Sequence, residues 1–159
     1  MPHFPTIRAS NLEGKDFTLP EDFEGQWNLL FVAFERHQQE DVDTWTPHAR
    51  HLCEADSSLR LYELPTIRRG NPIMRWMINR GMASGIHDPQ ARAATITLYL
   101  DKTEFRRSLA IESEAEITVL LVGRDGGIRW RGIGTWSADK EESLRRVLRE
   151  ESGGAERAR

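Results

Sequence analysis

The sequence contains a single cysteine, no long apolar run and little excess of charge of either sign. Cys53 is the only cysteine in 159 residues, so no internal disulfide can form and packing must hold the fold together. No apolar run approaches the roughly 20 residues of a membrane helix, so we expect no membrane insertion. The net charge of −3 gives no electrostatic reason to expect nucleic acid as a partner.

The composition is that of one globular domain, with 38% hydrophobic and 30% charged residues. We expect this domain to span residues 1–150 and the polar, glycine-containing residues 151–159 to form a disordered tail. The first residues lack the basic and apolar pattern of a secretory signal, so we expect a cytoplasmic protein.

The apolar pattern predicts alternating strands and helices. Residues 28–34 are apolar on both faces, which is typical of a central strand covered from both sides. Gly14 marks a tight turn between two short extended pieces, and Asp125-Gly126 marks a second hairpin. Asp101 is placed to cap a short helix. The other predicted elements are helices over 42–55, 72–81 and 138–150, and strands over 58–64, 93–100, 117–122 and 128–133.

This order of elements resembles the thioredoxin superfamily. The opening phrase is similar to the redoxin and peroxiredoxin-like branch, because Leu12, a Gly14-Lys15 turn and an acidic loop ending in Gly25 precede the first core strand. The resemblance implies an α/β protein with a thioredoxin-like fold: a central mixed β-sheet, helices on both faces and an N-terminal β-hairpin.

The same resemblance implies a redox site that this sequence lacks. When Phe34 and Pro47 are matched to the strand end and helix proline of a thioredoxin active-site segment, Gln39 and Val42 stand at the two cysteine positions. Ile117 stands at the cis-proline position, and a non-proline cis bond costs roughly 2.5–4 kcal/mol, so we expect it to be trans. We therefore expect no thiol redox activity and no cofactor.

A second likeness suggests what the protein does instead. The stretch Ile128-Arg129-Trp130-Arg131-Gly132-Ile133-Gly134, followed by a Glu-rich helix, resembles the thioredoxin-like mitochondrial ATP synthase assembly factor family. This implies a non-redox protein that binds other proteins during assembly. The predicted helix over 72–81 has an apolar arc that is wider than a single buried face needs. We therefore take part of it as a candidate partner surface: Met74, Trp76 and Met77.

Cys53 and a histidine pair suggest two alternative functions. A single cysteine can reduce peroxide and be regenerated by an external thiol, so Cys53 would make the protein a peroxiredoxin-like peroxidase or reductase. However, Cys53 lies well inside its helix on the face of Trp45, which predicts a buried structural side chain instead. His48 and His51 are one helical turn apart and would begin a metal site, but a solvated pair accounts for them better, so we assign no metal.

Overall fold

The computed structural model describes residues 2–68 and 88–157, with side chains up to residue 151. Seven strands lie in these ranges: β1 (Ile7–Asn11), β2 (Asp16–Leu19), β3 (Trp27–Ala33), β4 (Leu59–Arg68), β5 (Ile96–Leu100), β6 (Thr118–Gly123) and β7 (Ile128–Ile133). They form one sheet in the order β2-β1-β5-β4-β3-β6-β7. The sheet is mixed, because β3, β4 and β5 run parallel and the other neighbours pair antiparallel.

The helices in the described ranges cover both faces of the sheet. They are a short 3-10 helix (Arg36–Gln38), α1 (Gln39–Ala55), α2 (Pro89–Ala94), α3 (Lys102–Leu109) and α4 (Ala138–Arg157). Two apolar clusters separate on the two faces: α1 and α4 contribute to one, and α3 contributes to the other. This confirms the expected α/β architecture with helices on both sides of a central mixed sheet.

Alternation along β3 explains why there are two clusters. Leu29 and Phe31 point to the face covered by α1 and α4, where they meet Trp45 among others. Leu30 and Val32 point to the face of α3. A strand that is apolar on both sides therefore supplies both clusters, as expected for the centre of a doubly covered sheet.

Glycines form the tight turns of both hairpins. Gly14, between β1 and β2, has φ of 84°, and Gly126, between β6 and β7, has φ of 86°. Both values lie in the left-handed region that favours glycine. Near the second turn the N-terminal segment is tied down, since the N–H of Phe4 donates to the carbonyl of Gly126 at 2.9 Å and the Phe4 side chain is buried.

The structure corrects several predicted boundaries. The strand predicted over 58–64 continues to Arg68, and the strand predicted from residue 93 begins at Ile96, because α2 occupies the residues before it. α2 has no counterpart among the elements predicted from the sequence. The last helix continues to Arg157, so residues 151–157 belong to it rather than to the predicted tail. The helix predicted over 72–81 lies outside the described residues.

Candidate functional site

The positions matched to a thioredoxin redox site lie at the starts of α1 and β6. Gln39 is the first residue of α1, and its Nε2 donates to Glu63 Oε1 and Asp43 Oδ1, each at 3.1 Å. Val42 and Ile117 are both buried and belong to the same apolar cluster. The peptide bond before Ile117 is trans. An amide and two hydrocarbon side chains therefore occupy the positions where thiol chemistry would need sulfur and proline.

Gln38 joins the loop before α1 to the loop before β6. Its fully buried side chain accepts the N–H groups of Phe34 and Glu35 on Oε1, at 2.8 and 3.2 Å, and donates from Nε2 to the carbonyl of Glu114 at 2.6 Å. Sequence reasoning missed this residue. Part of its role has a local signal, because Glu35 and Gln38 form a capping box at the start of the 3-10 helix. Its contact with Glu114, 76 positions further along the chain, has none.

Charged groups reinforce the same connection. Lys102 Nζ donates to the carbonyl of Phe34 at 2.8 Å and lies 3.5 Å from Glu114 Oε1. Arg106 Nη1 lies 3.2 Å from the other carboxylate oxygen of Glu114. Charge-assisted bonds to partly buried partners are stronger than bonds between neutral groups. We call Gln38, Lys102, Arg106 and Glu114 the loop clamp, because together they hold the two loops in contact.

Cys53 lies away from this end of the molecule and is half-buried, not buried as predicted. It follows Leu52 by one residue, so it sits about 100° further round α1, at the margin of the core face. There it lines a cavity of about 310 Å³ between α1, α2 and the first part of β4, which we call the α1–α2 slot. Burial raises the pKa of Cys53 to about 11, although the positive charge of Arg60 acts to lower it.

Two other titratable groups line the slot. Tyr62 and Glu63 stand next to each other on β4, and burial raises the pKa of each above its ordinary value. With the thiol of Cys53, they give the slot three groups that keep their protons more firmly than usual. Alternation along β4 directs the Tyr62 side chain to the face of α3 and the Glu63 side chain to the face of α1, so only Cys53 and Glu63 lie on the same side of the sheet.

The two histidines have separate surroundings. The ring of His48 stacks on Trp136, with centroids 3.8 Å apart and planes within 5°, and its Nδ1 lies 3.4 Å from Glu141 Oε1. His51 is exposed. Among the described residues, no group of three or more histidine, cysteine, aspartate or glutamate side chains is arranged to hold a metal ion.

The candidate partner surface, Met74, Trp76 and Met77, lies outside the described residues. In the part of the chain that is described, no helix has the length and apolar character needed to cross a bilayer.

Solved structures with this architecture cover nearly the whole chain. The thioredoxin domain of a thiol-disulfide oxidoreductase from Bacteroides vulgatus is 17% identical, with a TM-score of 0.56 over 92% of this chain and 94% of that one. A thiol-disulfide oxidoreductase from Bacteroides fragilis is 12% identical, with a TM-score of 0.56 over 91% and 98%. ScoI from Arabidopsis thaliana, solved with copper bound, is 11% identical, with a TM-score of 0.62 over 94% and 99%.

The chain has a thioredoxin-like fold. No protein-family model and no curated protein matches it. At these identities the likeness extends to the fold, and chemistry must be argued from the side chains that are present. In this thioredoxin-like protein the first turn of α1 contains no sulfur. The one cysteine, Cys53, lines the slot and lies 14 positions after Gln39 (53 − 39 = 14).

Proposed function

We propose that this thioredoxin-like protein has no thiol-disulfide exchange activity and acts in the cytoplasm by binding other proteins, as an assembly factor. The observation that carries the proposal is what occupies the redox positions. Gln39 is an exposed amide hydrogen-bonded to Glu63, and Val42 is packed in the core, so neither position supplies a thiol. The loop clamp adds support, because it holds together the two loops between which a thioredoxin-like enzyme would expose its dithiol.

The binding half of the proposal rests on sequence resemblance. The stretch from Ile128 to Gly134 resembles ATP synthase assembly factors, and Met74, Trp76 and Met77 are the side chains that we propose contact a partner. Methionine and tryptophan suit this role, since they bury large areas and adapt to varied surfaces.

An insulin-reduction assay tests the redox half of the proposal. With dithiothreitol as the electron source, we expect insulin to precipitate no earlier than in the uncatalysed reaction, while a thioredoxin standard accelerates it. Acceleration by the wild type that Cys53→Ser abolishes would overturn the proposal, because it would show thiol-disulfide exchange at the only thiol of the protein. The Cys53→Ser variant has no thiol, so it also controls for a contaminating reductase.

Affinity capture from the protein's own cell extract tests the binding half. We expect Trp76→Ala to lose partners that the wild type retains, while Trp136→Ala keeps them. Trp136 is a matched control because it is a partly exposed tryptophan that stacks on His48, outside the stretch from Ile128 to Gly134. Far-ultraviolet circular dichroism must show that both variants are folded. Identical captured sets for the wild type and both variants would remove the proposed surface.

A second candidate function uses Cys53 as a peroxidase. The observation that favours it is the placement of Cys53 in a cavity beside Arg60, whose charge stabilises a thiolate. The thiolate would attack one peroxide oxygen, giving sulfenic acid and releasing water or an alcohol, and an external thiol would then reduce the sulfenic acid. The raised pKa opposes this function. Peroxide consumption that is unchanged by Cys53→Ser would eliminate it.

A further inference from the structure

The two outer edges of the sheet are protected unequally. At β2 the chain closes its own edge, since the N–H of Thr18 donates to Asp22 Oδ2 at 2.7 Å and the carbonyl of Thr18 accepts the N–H of Asp22 at 3.0 Å. β2 is also only four residues long. An open edge pairs with strands of other molecules, and a short, covered edge strand prevents this. The β2 edge is therefore closed to a further strand.

The first half of the other edge, on β7, is protected as well. His3 forms an antiparallel bridge with Gly127, so the chain's own N-terminal segment occupies the start of this edge. A register shift between β6 and β7 follows, where Val122 pairs with Ile128 and Leu121 with Trp130. Such a bulge twists an edge away from a flat pairing surface. Both protecting features end before Trp130.

The second half of β7 has main-chain groups that no strand pairs within the described ranges. The N–H of Gly134 donates to the carbonyl of Ile117 at 2.9 Å, so the main chain at Gly134 points towards β6. This direction alternates along an antiparallel strand, so the N–H and C=O groups of Arg131 and Ile133 point away from β6. Trp45 Nε1 donates to the carbonyl of Gly134 at 3.0 Å and fixes this end of the strand. The open edge is thus in place before any partner arrives.

The side chains of this second half do not block the edge. Charged side chains often protect an edge strand, but the guanidinium group of Arg131 donates to the carbonyls of Leu109 and Ala110 at the end of α3. Gly132 has no side chain, and Ile133 is a large apolar side chain that is 53% exposed. Residues 131–133 therefore leave the edge without a free charge.

We propose that residues 130–133 of β7 bind an extended segment of another protein, which adds to the sheet as a further strand. Main-chain hydrogen bonds to Arg131 and Ile133 provide the affinity, and alternate side chains provide the specificity. The inference rests on the proposed function for the class of partner, a protein. It adds the surface that binds this partner and the backbone conformation that the surface recognises.

The two faces of β7 define the side chains of the segment. Residues that hydrogen-bond to Arg131 and Ile133 have their side chains on the α3 face, where an apolar β-branched residue packs beside Ile133. The residue opposite Gly132 faces the α4 side. There a Cβ atom on Gly132 would lie 2.5 Å from the indole ring of Trp130, so the ring fills the place of a side chain and contacts the incoming residue. The segment therefore alternates apolar β-branched residues with residues that suit an aromatic neighbour.

A capped synthetic peptide of alternating valine and threonine residues, three of each, tests the proposal. It carries a fluorescent label on a flexible linker, and fluorescence anisotropy measures its Kd. Two isomers carry N-methyl groups on all valines or on all threonines. Because successive N–H groups of a strand point to opposite edges, each isomer lacks the donors of one edge and keeps those of the other.

We expect the parent peptide and the threonine-methylated isomer to bind with similar Kd. The valine-methylated isomer should bind about tenfold or more weakly, because the valine N–H groups face β7. Nuclear magnetic resonance spectra of the isotope-labelled protein should show the largest shifts at the N–H groups of Arg131 and Ile133. Ile133→Lys should weaken binding by about tenfold too, since it places a charge on the edge.

Gln90→Lys is the matched control, because it makes the same change of charge at an exposed position on α2 and should leave the Kd unchanged. Thermal unfolding checks that both variants are folded. Absence of saturable binding, equal binding of the two isomers, or binding that Ile133→Lys does not weaken would overturn the proposal.

Sedimentation velocity tests the alternative occupant, a second copy of this chain. We expect the wild type to sediment as a monomer. A dimer that Ile133→Lys separates would show that a second copy occupies the edge, and would overturn the proposal. The peptide test needs no cellular partner, so a failed affinity capture would contradict the proposed function without changing the result obtained here.

Discussion

At the scale of single residues, the chemistry of Cys53 follows from its position along α1. A thiolate is stabilised at the N-terminus of a helix, and Gln39 takes that place here. Cys53 instead lies in the last turn, half-buried in the slot, where burial outweighs the attraction of Arg60. The cysteine is thus accessible enough to be modified, but its proton is held too tightly for fast thiolate chemistry near neutral pH.

Alkylation by iodoacetamide should show this directly. Because the pKa is raised from 9.0 to about 11, we expect about a hundredfold less thiolate than for an unperturbed thiol near neutral pH, and a rate that keeps rising with pH beyond about 9. The rate is measured by mass spectrometry across pH, with the exposed Ser108→Cys thiol in a Cys53→Ser background as reference. A plateau below about pH 8 would contradict the prediction.

Glu63 is a second residue whose surroundings set the pH dependence of a property. Its folded-state pKa is raised, so its stabilising contribution is complete below the unfolded-state value of about 4.3 and is lost as pH rises through the folded-state pKa. We expect Glu63→Gln, which keeps the shape and cannot ionise, to be more stable than the wild type by roughly 1 kcal/mol at mildly alkaline pH. The difference should shrink towards about pH 4, as both side chains become neutral.

Urea unfolding at several pH values measures this difference. Glu54→Gln is the matched control, since Glu54 is exposed and its substitution should leave the pH dependence of stability nearly unchanged. Equal pH profiles for Glu63→Gln and the wild type would show that Glu63 is not held in the neutral form.

At the scale of elements, the loop clamp determines how α1 begins. The 3-10 helix turns the chain from β3 into α1, and the buried amide of Gln38 satisfies two N–H groups at that turn and one carbonyl across the gap. Removing a buried partner leaves polar groups without hydrogen bonds, which costs more than the bonds themselves contribute. The beginning of α1 therefore depends on a contact with a distant loop.

Gln38→Ala should lower the free energy of unfolding by about 2–4 kcal/mol, because one buried and two partly buried main-chain groups lose their partner. Gln39→Ala removes the same number of atoms from the next residue, which is exposed, and should cost less than about 1 kcal/mol. Urea unfolding monitored by tryptophan fluorescence compares the two. Similar losses for both variants would contradict the assignment of Gln38 as the residue that joins the loops.

The elements that could be predicted are those whose signals are local. Gly14 and Gly126 mark turns that need a positive φ, and Asp101 caps α3 by accepting the N–H groups of Thr103 and Glu104 at 2.9 and 3.2 Å. The same kind of signal was present for α2 and was overlooked. Asp88 accepts the N–H of Gln90 at 3.0 Å, and Pro89 stands at the first helical position.

The features that could not be predicted depend on contacts between distant segments. Alternation along β4 places Glu63 on the same side as Leu59 and Leu61, so the sequence does indicate an inward-facing acid. It does not indicate which groups surround that acid, since Thr95 and Gln39 come from distant segments. Gln38 has a local signal for its capping box with Glu35, but none for its contact with the carbonyl of Glu114. The slot exists because the chain leading into β5 first bridges β4 at Thr95, opposite Glu63 and four residues after Leu59. Strand register of this kind is set by tertiary packing.

At the scale of the whole molecule, the fold is retained while the side chains of its usual reaction centre are different. Gln39 and Val42 lie three residues apart in the first turn of α1. That spacing in a helix brings two Cα atoms within the range that a disulfide spans. We therefore expect that this turn can hold a dithiol, and substitution can test this.

The variant Gln39→Cys with Val42→Cys, in a Cys53→Ser background, should form an intramolecular disulfide and gain insulin-reducing activity above that of the wild type. We expect a stability loss of roughly 1–2 kcal/mol in the reduced form, because Val42 is buried and loses a methyl group of packing. Mass spectrometry after thiol labelling detects the disulfide, and the insulin assay measures the activity. If the two thiols stay free under oxidising conditions, the start of α1 does not have the geometry described here.

The attachment of the N-terminal segment to the second hairpin has a consequence for synthesis. Phe4 and Gly126 are 122 positions apart (126 − 4 = 122), and their contact closes only after most of the chain has left the ribosome. Until then the apolar core is incomplete, so nascent-chain chaperones can bind three phenylalanines near the N-terminus: Phe4, Phe17 and Phe23. The core of this protein can therefore fold completely only after the last third of the chain is synthesised. Translation that stalls before residue 126 leaves an aggregation-prone product.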